Sequence, residues 1–267
     1  MHVKVITIFP ELFETFLRTS LVGRAIERGA LEVAVHDLRE FTSDRHKTVD
    51  DDPYGGGGGM VMQAPIWIRA VSELSRAGRS HRILLSPQGE TVTDSKIRKL
   101  AAKDELLLLC GRYEGIDERV RQTVVDEEIS IGDYVLSGGE LPAMVVIEAL
   151  SRQIPGVVGK AESVEQESFR NGLLDFPHYT RPRVVEGIEV PKVLLSGDHE
   201  SIRVWRTRQA LKVTVAKRPD LIERATLSTE QKRLLDELLP EVGQEGLCNP
   251  ELVNEGTEQD NKKNSSR

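Results

Sequence analysis

The sequence predicts an α/β fold with a parallel sheet, and three short apolar runs carry that prediction. Each run breaks into a turn rich in Gly, Pro and Ser: Arg82–Gly89, Leu106–Gly115 and Ile129–Pro142. Continuous apolar runs of this length are typical of strands buried on both faces of a parallel sheet. Ligands bind beyond the carboxyl ends of such strands, where glycine allows a close approach of the backbone. The three loops therefore predict a site for a flat, polar small molecule.

Strands and helices alternate along the first 150 residues, as an α/β fold requires. Strands are predicted over Val3–Ile8, Leu31–Asp37, Arg82–Ser86, Leu106–Cys110 and Ile129–Ile131. Helices are predicted over Pro10–Arg18, Ala64–Ala77, Asp94–Lys103, Asp117–Val125 and Glu140–Arg152. Proline suits the first turn of the first helix, and Asp94 is expected to cap the third.

A run of five glycines, Gly55–Gly59, interrupts the segment between Thr42 and Met62. Five consecutive glycines form a mobile flap or a turn of close approach, and they cannot form a stiff element. A flexible linker is the plain alternative. Strong apolar patterns on both sides, within one apparent domain, weaken that alternative.

The pattern changes after residue 155. Pro155–Asn171 is polar and predicts a linker, and helices follow over Ser201–Val215, Pro219–Arg224 and Ser228–Leu239. The last residues are polar and nearly free of aromatics, so we expect disorder after about Gly246. The predicted organisation is an α/β domain (1–158), a linker (159–171), a smaller, mainly helical domain (172–246) and a disordered tail (247–267).

Composition excludes several classes of protein. Of the 267 residues, 39% are hydrophobic, yet no run approaches the roughly 18 apolar residues of a membrane span. The N-terminus reads as a first strand and not as a signal peptide. With two cysteines, Cys110 and Cys248, a disulfide framework and a cysteine-based zinc site are both disfavoured. We therefore expect a cytoplasmic protein with no membrane association.

Known cofactor and catalytic motifs are missing. No Gly-x-Gly-x-x-Gly follows the first strand, and the chain has no Gly-x-x-x-x-Gly-Lys-Ser/Thr, so dinucleotide and nucleoside triphosphate sites are disfavoured. No Gly-x-Ser-x-Gly is present, which disfavours one class of serine hydrolase. The six histidines show no metal-ligand spacing, so no protein metal site is predicted.

The charge distribution is uneven. The net charge is −7, but Arg181–Arg224 holds ten basic and six acidic residues, a balance of +4 that leaves −11 for the remainder. Within Ser201–Arg218, which includes Arg203 and Arg208, six residues are basic and none is acidic. Such a patch suits nucleic acid phosphates. From charge alone, a solvated helix face explains it equally well.

A second polar segment, Glu165–Pro182, combines acids with His178, Tyr179 and Arg181. This density of polar chemistry beside apolar anchors is unusual for a linker. On spacing alone, a structural role for the segment remains the favoured interpretation.

Several motifs together resemble one known family. They are Asp44–Met60, Gly111–Asp117, Ser130–Pro142, Gly172–Pro182 and Val193–His199. In this order they resemble the bacterial tRNA (guanine-N1)-methyltransferases, the TrmD family, from about Val3 to about Leu239. Several long motifs in the right order make the resemblance highly specific.

The resemblance implies a SPOUT-class fold whose deep trefoil knot binds S-adenosylmethionine, a rare exception to the rule against threaded chains. It implies an obligate homodimer in which both subunits build each active site. Whether magnesium takes part is not readable from the sequence. The implied cofactor-binding residues are Pro87, Gly111, Ile131, Gly132, Asp133, Tyr134, Val135, Leu136, Gly138 and Pro142.

The implied reaction is methylation of N1 of guanine 37 in tRNA, the base 3′ of the anticodon, when another guanine precedes it. Guanine N1 carries a proton that a base must remove, and negative charge then builds on O6. By resemblance the base is Glu167, where the family usually has aspartate, and Arg152 serves O6. Glu114 and Asp175 match residues near the substrate. An ordinary surface cation at a helix end is the alternative for Arg152.

Two other functions remain open from the sequence. The glutamate at position 167 also fits a tRNA-binding module that has lost catalysis, which a methylation assay with transcript tRNA would test. A methyltransferase of the same fold that acts elsewhere on RNA is the second, although Gly172–Pro182 argues against it.

Overall fold

The computed structural model describes residues 1–158 and 167–245. The chain divides into two compact units, Met1–Ala161 and Glu162–Arg267. Within the described ranges, no helix is both long and apolar enough to cross a membrane.

The first unit is built on a five-stranded parallel sheet. The described part of the unit has seven strands: β1 (His2–Thr7), β2 (Glu32–Asp37), β3 (Asp50–Asp51), β4 (Val61–Met62), β5 (Ser80–Thr91), β6 (Glu105–Cys110) and β7 (Glu127–Ser130). The sheet has the order β2-β1-β6-β5-β7, and every neighbouring pair in it is parallel. The short strands β3 and β4 pair separately as an antiparallel hairpin around the glycine run. The predicted α/β class with a parallel sheet is confirmed.

Helices cover both faces of the sheet. They are α1 (Glu14–Arg18), α2 (Ser20–Glu27), α3 (Ala64–Leu74), α4 (Asp94–Ala101), α5 (Glu118–Val124) and α6 (Glu140–Ser151). Along β6, Leu106 and Leu108 pack into a core with α2, α4 and α6, whereas Leu107 and Leu109 pack into another with α3 and α5. Because both faces of β6 are buried, its sequence is a continuous apolar run.

Strand β5 is longer than predicted and contains a bulge. Leu85 and Glu90 both pair with Ile129, so the residues between them leave the ladder. Gly89 then returns directly onto β7, where a Cβ atom would lie 2.3 Å from the backbone nitrogen of Ile129. The bulge therefore projects Ser86–Gln88 beyond the sheet edge, as bulges beside ligand sites do.

Three local predictions need correction. Helix α4 is capped by Thr93, whose hydroxyl accepts from the Lys96 amide at 3.2 Å, and not by Asp94. Asp94 instead lies in the first turn and pairs with Arg98 at 3.1 Å. The first predicted helix begins as a 3₁₀ turn, Pro10–Phe13, before α1. Helix α2 was not predicted at all.

The second unit is mainly helical. A hairpin of β8 (Val184–Val185) and β9 (Ile188–Glu189) precedes a 3₁₀ turn, Lys192–Leu195, and then α7 (His199–Lys217), α8 (Pro219–Arg224) and α9 (Thr229–Glu245). Its core joins Leu173 to Leu211, Leu234 and Leu238. Helix α9 continues through Pro240, so its predicted end at Leu239 was wrong.

Some predictions fall outside the described residues. The linker expected over 159–171 falls largely on 159–166, and Glu167 is the first described residue after them. The expected tail, 247–267, also lies outside, and Cys248 with it.

Candidate active site

A cavity of about 250 Å³ lies where β5, β6 and β7 end. The loop after each of these strands contributes to its wall. The lining consists of Leu84, Leu85, Ser86, Pro87, Gln88, Gly111, Arg112, Tyr113, Glu114, Gly115, Ile116, Arg121, Ser130, Ile131, Gly132, Tyr134, Val135, Leu136, Ser137, Gly138 and Gly139. The volume is close to that of the smaller small-molecule sites.

Backbone hydrogen bonds hold these loops together. The Gly139 amide donates to the Gly111 carbonyl at 3.0 Å. On the other side of the same loop, the Glu114 amide donates to the Met60 carbonyl at 3.0 Å and the Met62 amide to the Gly115 carbonyl at 2.9 Å. The loop after β6 therefore lies bonded between the segment around Met60–Met62 and the segment that begins α6.

Close packing makes glycine necessary at two positions of the wall. A Cβ atom on Gly139 would lie 2.7 Å from the Cα atom of Cys110. On Gly138 it would lie 2.3 Å from Nε of Arg112. These contacts are shorter than packed carbon atoms tolerate, so the loops could not close on each other with larger residues.

A buried polar network supports the cavity from below. Glu140, only 1% exposed, accepts from the Thr7 hydroxyl at 2.7 Å and from Nε of Arg112 at 2.9 Å. The Arg112 guanidinium also lies 4.5 Å from the ring centroid of Phe9. Burial raises the pKa of the adjacent Cys110 thiol well above its ordinary value, and the Glu140 carboxylate raises it further. Cys110 is therefore an inert, protonated core residue.

The structure places most of the predicted cofactor residues around this cavity. Pro87, Gly111, Ile131, Gly132, Tyr134, Val135, Leu136 and Gly138 line it, and so does Glu114. Asp133 and Pro142 are not in the lining, although Asp133 lies between two lining residues and Pro142 follows Gly139 by three residues. A cavity with glycine walls, apolar side chains and two tyrosine rings suits the flat base and thin chain of S-adenosylmethionine.

Arg152 lies far from this cavity within its own chain. It is the C-cap that directly follows the last residue of α6, and α6 begins beside Gly139 in the cavity wall. Twelve helical residues separate the two ends, a distance of roughly 18 Å. The cavity and the Arg152 of one chain are therefore at opposite ends of one helix.

The face of α6 that leads to Arg152 exposes two apolar side chains and also carries Glu148. Leu141 and Val145 are 57% and 47% exposed. Because Leu141 and Arg152 are eleven residues apart, about three helical turns, both lie on this face. The opposite face, with Val146 and Leu150, is buried. Exposed Leu141 and Val145 opposite a buried face are apolar side chains that a partner surface could cover.

The second unit has its own cavity, of about 390 Å³. The predicted base Glu167 and the second acid Asp175 both line it, together with Asn171, Leu173, Leu174, Phe176, His199, Ile202, Arg203, Arg206, Thr207, Ala210 and Gln231. Asp175 is held in place, because its amide donates to Ser168 Oγ at 2.9 Å and its carboxylate contacts His178 Nε2 at 3.0 Å. The structure thus brings the two predicted acids to one cavity.

Helix α7 carries the basic side chains of this unit. Arg203 donates to Glu200 and to Glu230 on α9, each at 2.7 Å, and these bonds raise its pKa, that with Glu200 first. Arg206 stacks 4.9 Å from the ring centroid of Phe176. Arg208 lies on the same helix but outside the cavity lining. The sequence stretch Ser201–Arg218 contains no acid, but in the structure the carboxylates of Glu200 and Glu230 lie against Arg203.

Sequence reasoning also missed Arg112 and Glu140. The sequence did contain a signal for Glu140: it is an acidic residue at the start of an otherwise apolar helix and follows Gly138 and Gly139. Within residues 1–158 and 167–245, no group of three His, Cys, Asp or Glu side chains is placed to hold a metal ion.

Known proteins are similar to this chain over most of its length. The model of the family described as tRNA (Guanine-1)-methyltransferase TrmD matches residues 1–224. The tRNA (guanine-N(1)-)-methyltransferase of Moorella thermoacetica is 53% identical over 241 residues, 89% of this chain and 96% of the relative. The protein of the same name from Shewanella woodyi is 53% identical over 88% of this chain and 96% of the relative. That from Thermosipho melanesiensis is 52% identical over 91% of this chain and 98% of the relative.

Proposed function

The chain belongs to the TrmD family of tRNA (guanine-1)-methyltransferases, and we propose that it methylates N1 of guanine 37 in tRNA, with S-adenosylmethionine as donor. Methylation of a tRNA guanine at N1 is the activity that the relatives' names print. The observation that carries the proposal is the cavity enclosed by three glycine-rich loops, which coincides with the motifs shared with that family. The reaction takes place in the cytoplasm, where tRNA is modified.

The cofactor binds in the first unit, residues 1–158. Gly111, Gly132 and Gly138 allow its close approach, and Tyr134 offers an aromatic wall. Backbone hydrogen bonds hold the loop after β6 between Met60–Met62 on one side and Gly138–Gly139 on the other. A knotted chain requires a loop enclosed in this way by other segments. These bonds therefore support a trefoil knot at this place.

Bound S-adenosylmethionine supplies an electrophilic methyl group on a sulfonium, so the protein need only prepare the guanine. Glu167 accepts the N1 proton, which makes the ring nitrogen nucleophilic. Arg152 donates hydrogen bonds to O6, where negative charge builds as the proton leaves. Glu114, in the cavity wall beside Met60, contacts the target base. Asp175 orients the substrate from the second cavity.

Each active site combines residues of two subunits. Arg152 cannot reach the cavity of its own chain from the far end of α6. The exposed apolar face through Leu141 and Val145 supports a homodimer, because a second copy packed there would bury it. Such a dimer would bring the Arg152 of one subunit toward the cavity of its partner.

The second unit binds tRNA, over residues 172–246. Helix α7 presents Arg206, Arg208 and Lys212 on one element, and basic side chains of this kind position RNA through its phosphates. Residues 159–171 link the two units.

The decisive experiment is mass spectrometry of one tRNA before and after incubation with the protein and S-adenosylmethionine. We expect a gain of one methyl group, located by nuclease digestion to N1 of guanine 37. A tRNA whose guanine 36 is replaced serves as control and should remain unmodified. Methylation at another nucleotide, or tRNA binding without methylation, contradicts the proposal.

A further inference from the structure

An ordered turn in the first unit projects three consecutive basic side chains. Asp44 organises it, because its carboxylate accepts from the Thr48 amide and hydroxyl, each at 3.1 Å, and from the His46 amide at 3.1 Å. These bonds lower the pKa of Asp44, the Thr48 amide first. Arg45, His46 and Lys47 are all exposed. The turn is therefore ordered by its own hydrogen bonds while its three basic side chains stay exposed to solvent.

Neither of the two charged side chains of this turn, Arg45 and Lys47, forms an ion pair within the described ranges. Arg45, His46 and Lys47 have no ion pair with any carboxylate of residues 1–158 or 167–245. By contrast, several arginines of the same unit, such as Arg82 and Arg119, pair with an aspartate. The turn therefore presents two positive charges, Arg45 and Lys47, close in sequence to the carboxylates of Asp44 and Asp50–Asp52.

Lys47 occupies a strained conformation. Its φ is +54°, in the left-handed region that favours glycine or asparagine. A lysine at this position is costlier for the fold than a glycine would be. Strain of this kind persists where a side chain has a function, and the only feature of Lys47 that glycine lacks is its long cationic side chain.

Tyr54 follows in the hairpin loop between β3 and β4 and is fully exposed, at 101%. The next glycines, Gly55, Gly56 and Gly57, have positive φ angles and open space around them. The loop is anchored beside the cofactor cavity, since Gly59 packs against Glu114, whose amide bonds to Met60.

We propose that Arg45, His46, Lys47 and Tyr54 form a contact surface for single-stranded RNA next to the cofactor cavity. This surface, the 45–54 surface, combines phosphate-binding cations with an exposed aromatic ring on which a base can stack. That combination is how proteins bind single-stranded nucleic acid. Its occupant is the unpaired part of the tRNA around the target guanine, so the inference rests on the proposed function and adds a substrate contact in the first unit.

The aromatic part is tested with Tyr54→Ala and Tyr54→Phe, by measuring the Kd of a transcript tRNA and, separately, of S-adenosylmethionine. Loss of one stacked base should weaken tRNA binding roughly 5- to 100-fold in Tyr54→Ala. Tyr54→Phe keeps the ring and should bind like wild type. The Kd for S-adenosylmethionine should not change. Weaker cofactor binding with unchanged tRNA binding would make the loop a cofactor lid and overturn the inference.

The cationic part is tested with the double variant Arg45→Ala/Lys47→Ala. The slope of log K against log salt is negative, and the loss of two phosphate contacts on a single strand should make it shallower by about 1.4. The control Arg24→Ala/Lys99→Ala removes the same charge from exposed positions on α2 and α4, and its slope should match wild type. Equal slopes in all three proteins contradict an RNA contact.

Lys47→Gly separates function from folding. Relief of the left-handed strain should raise the melting temperature while tRNA binding weakens, a combination that a purely structural lysine would not give. Unchanged tRNA affinity in Lys47→Gly and Tyr54→Ala, with methylation by the wild type, overturns this inference alone. If the wild type does not methylate tRNA, the proposed function fails, and the binding measurements still report on the 45–54 surface.

Discussion

Nε of Arg112 donates to Oε2 of Glu140 at 2.9 Å and so joins the loop after β6 to the first turn of α6. The pair lies under the glycines that enclose the cofactor cavity, and Gly138 packs directly against both side chains. Thr7 at the end of β1 donates to the other carboxylate oxygen. Both oxygens of Glu140 therefore accept, and neither position tolerates a donor.

Glu140→Gln should destabilise the fold and the cavity together. The amide group must turn its NH2 toward either Thr7 or Arg112, both of which are donors, so one buried bond is lost. We expect the free energy of unfolding to fall by about 1–3 kcal/mol and the Kd for S-adenosylmethionine to rise. Urea denaturation and calorimetric titration measure the two effects.

The matched control is Glu118→Gln, because Glu118 is also an acid in the first turn of a helix, but its side chain is 63% exposed. It should change neither quantity. In an Arg112→Ala background, the cost of Glu140→Gln should shrink, since one of the two donors is gone. Full additivity of the two substitutions would show that the pair is not coupled.

Gly89→Ala should disrupt the cofactor site, whereas Gly58→Ala should not. A Cβ atom at Gly89 meets the backbone of Ile129 at 2.3 Å, and backbone atoms of a sheet cannot move aside cheaply. At Gly58 nothing lies within 4 Å and φ is not positive. We expect Gly89→Ala to lose S-adenosylmethionine binding and stability, measured by titration and denaturation. Equal behaviour of the two variants would refute the close approach of β5 and β7.

Much of this fold is readable from the sequence, because burial on both faces forces apolar runs that turn residues end. Helix α2 was missed although Leu21, Val22 and Ala25 are buried on one side. Gly23 is the reason the helix was missed, because a glycine within a segment lowers its helix propensity. In the structure, a Cβ atom at this position would lie 2.7 Å from the backbone of Arg18. The glycine is required by its close packing against the preceding turn, and helix propensities of single residues do not include such packing.

The side-chain partners of the sites were less predictable. Thr7, Arg112 and Glu140 are more than a hundred residues apart at their extremes, and only the sheet order brings them together. Likewise, the acid-free stretch around Arg203 acquires Glu230 from another helix. A charge count along the chain measures sequence neighbours, whereas phosphate binding depends on neighbours in space.

Glu230→Gln should strengthen tRNA binding. Arg203 is shared between Glu200 and Glu230, so removal of one carboxylate frees the guanidinium for a phosphate. The slope of log K against log salt should steepen by about 0.7–0.9, the value of one phosphate contact. Adding Arg203→Ala should reverse the gain.

Glu237→Gln provides the control, because it removes the same charge two turns further along α9 and spares Arg203. A simple loss of negative charge from the unit would make both variants bind more tightly by the same factor. That outcome would show that Arg203 is a structural clamp between α7 and α9 and does not contact phosphate.

Glu167→Gln should abolish most catalysis without affecting cofactor binding. Glutamine keeps the shape of the side chain but cannot accept the N1 proton, and loss of a positioned base costs roughly 10²- to 10⁴-fold in rate. Glu167→Asp keeps the carboxylate and should retain substantial activity. Single-turnover methylation of tRNA measures both rates. If Glu167→Gln reacts within a few-fold of wild type, Asp175, which lines the same cavity, becomes the candidate base.

Two inactive variants should restore each other's activity if a dimer shares its sites. Arg152→Gln removes the O6 donor, and Leu136→Trp fills the cofactor cavity from a partly exposed position in its wall. Because Arg152 and its own cavity are roughly 18 Å apart along α6, a mixed dimer should join an intact cavity on the Arg152→Gln subunit to the intact Arg152 of the other. After subunit exchange at equal amounts, about a quarter of wild-type activity should return, since half of the dimers are mixed and each has one complete site. If each chain instead completed its own site, no mixed dimer would contain a complete one, and the mixture would stay as inactive as its components.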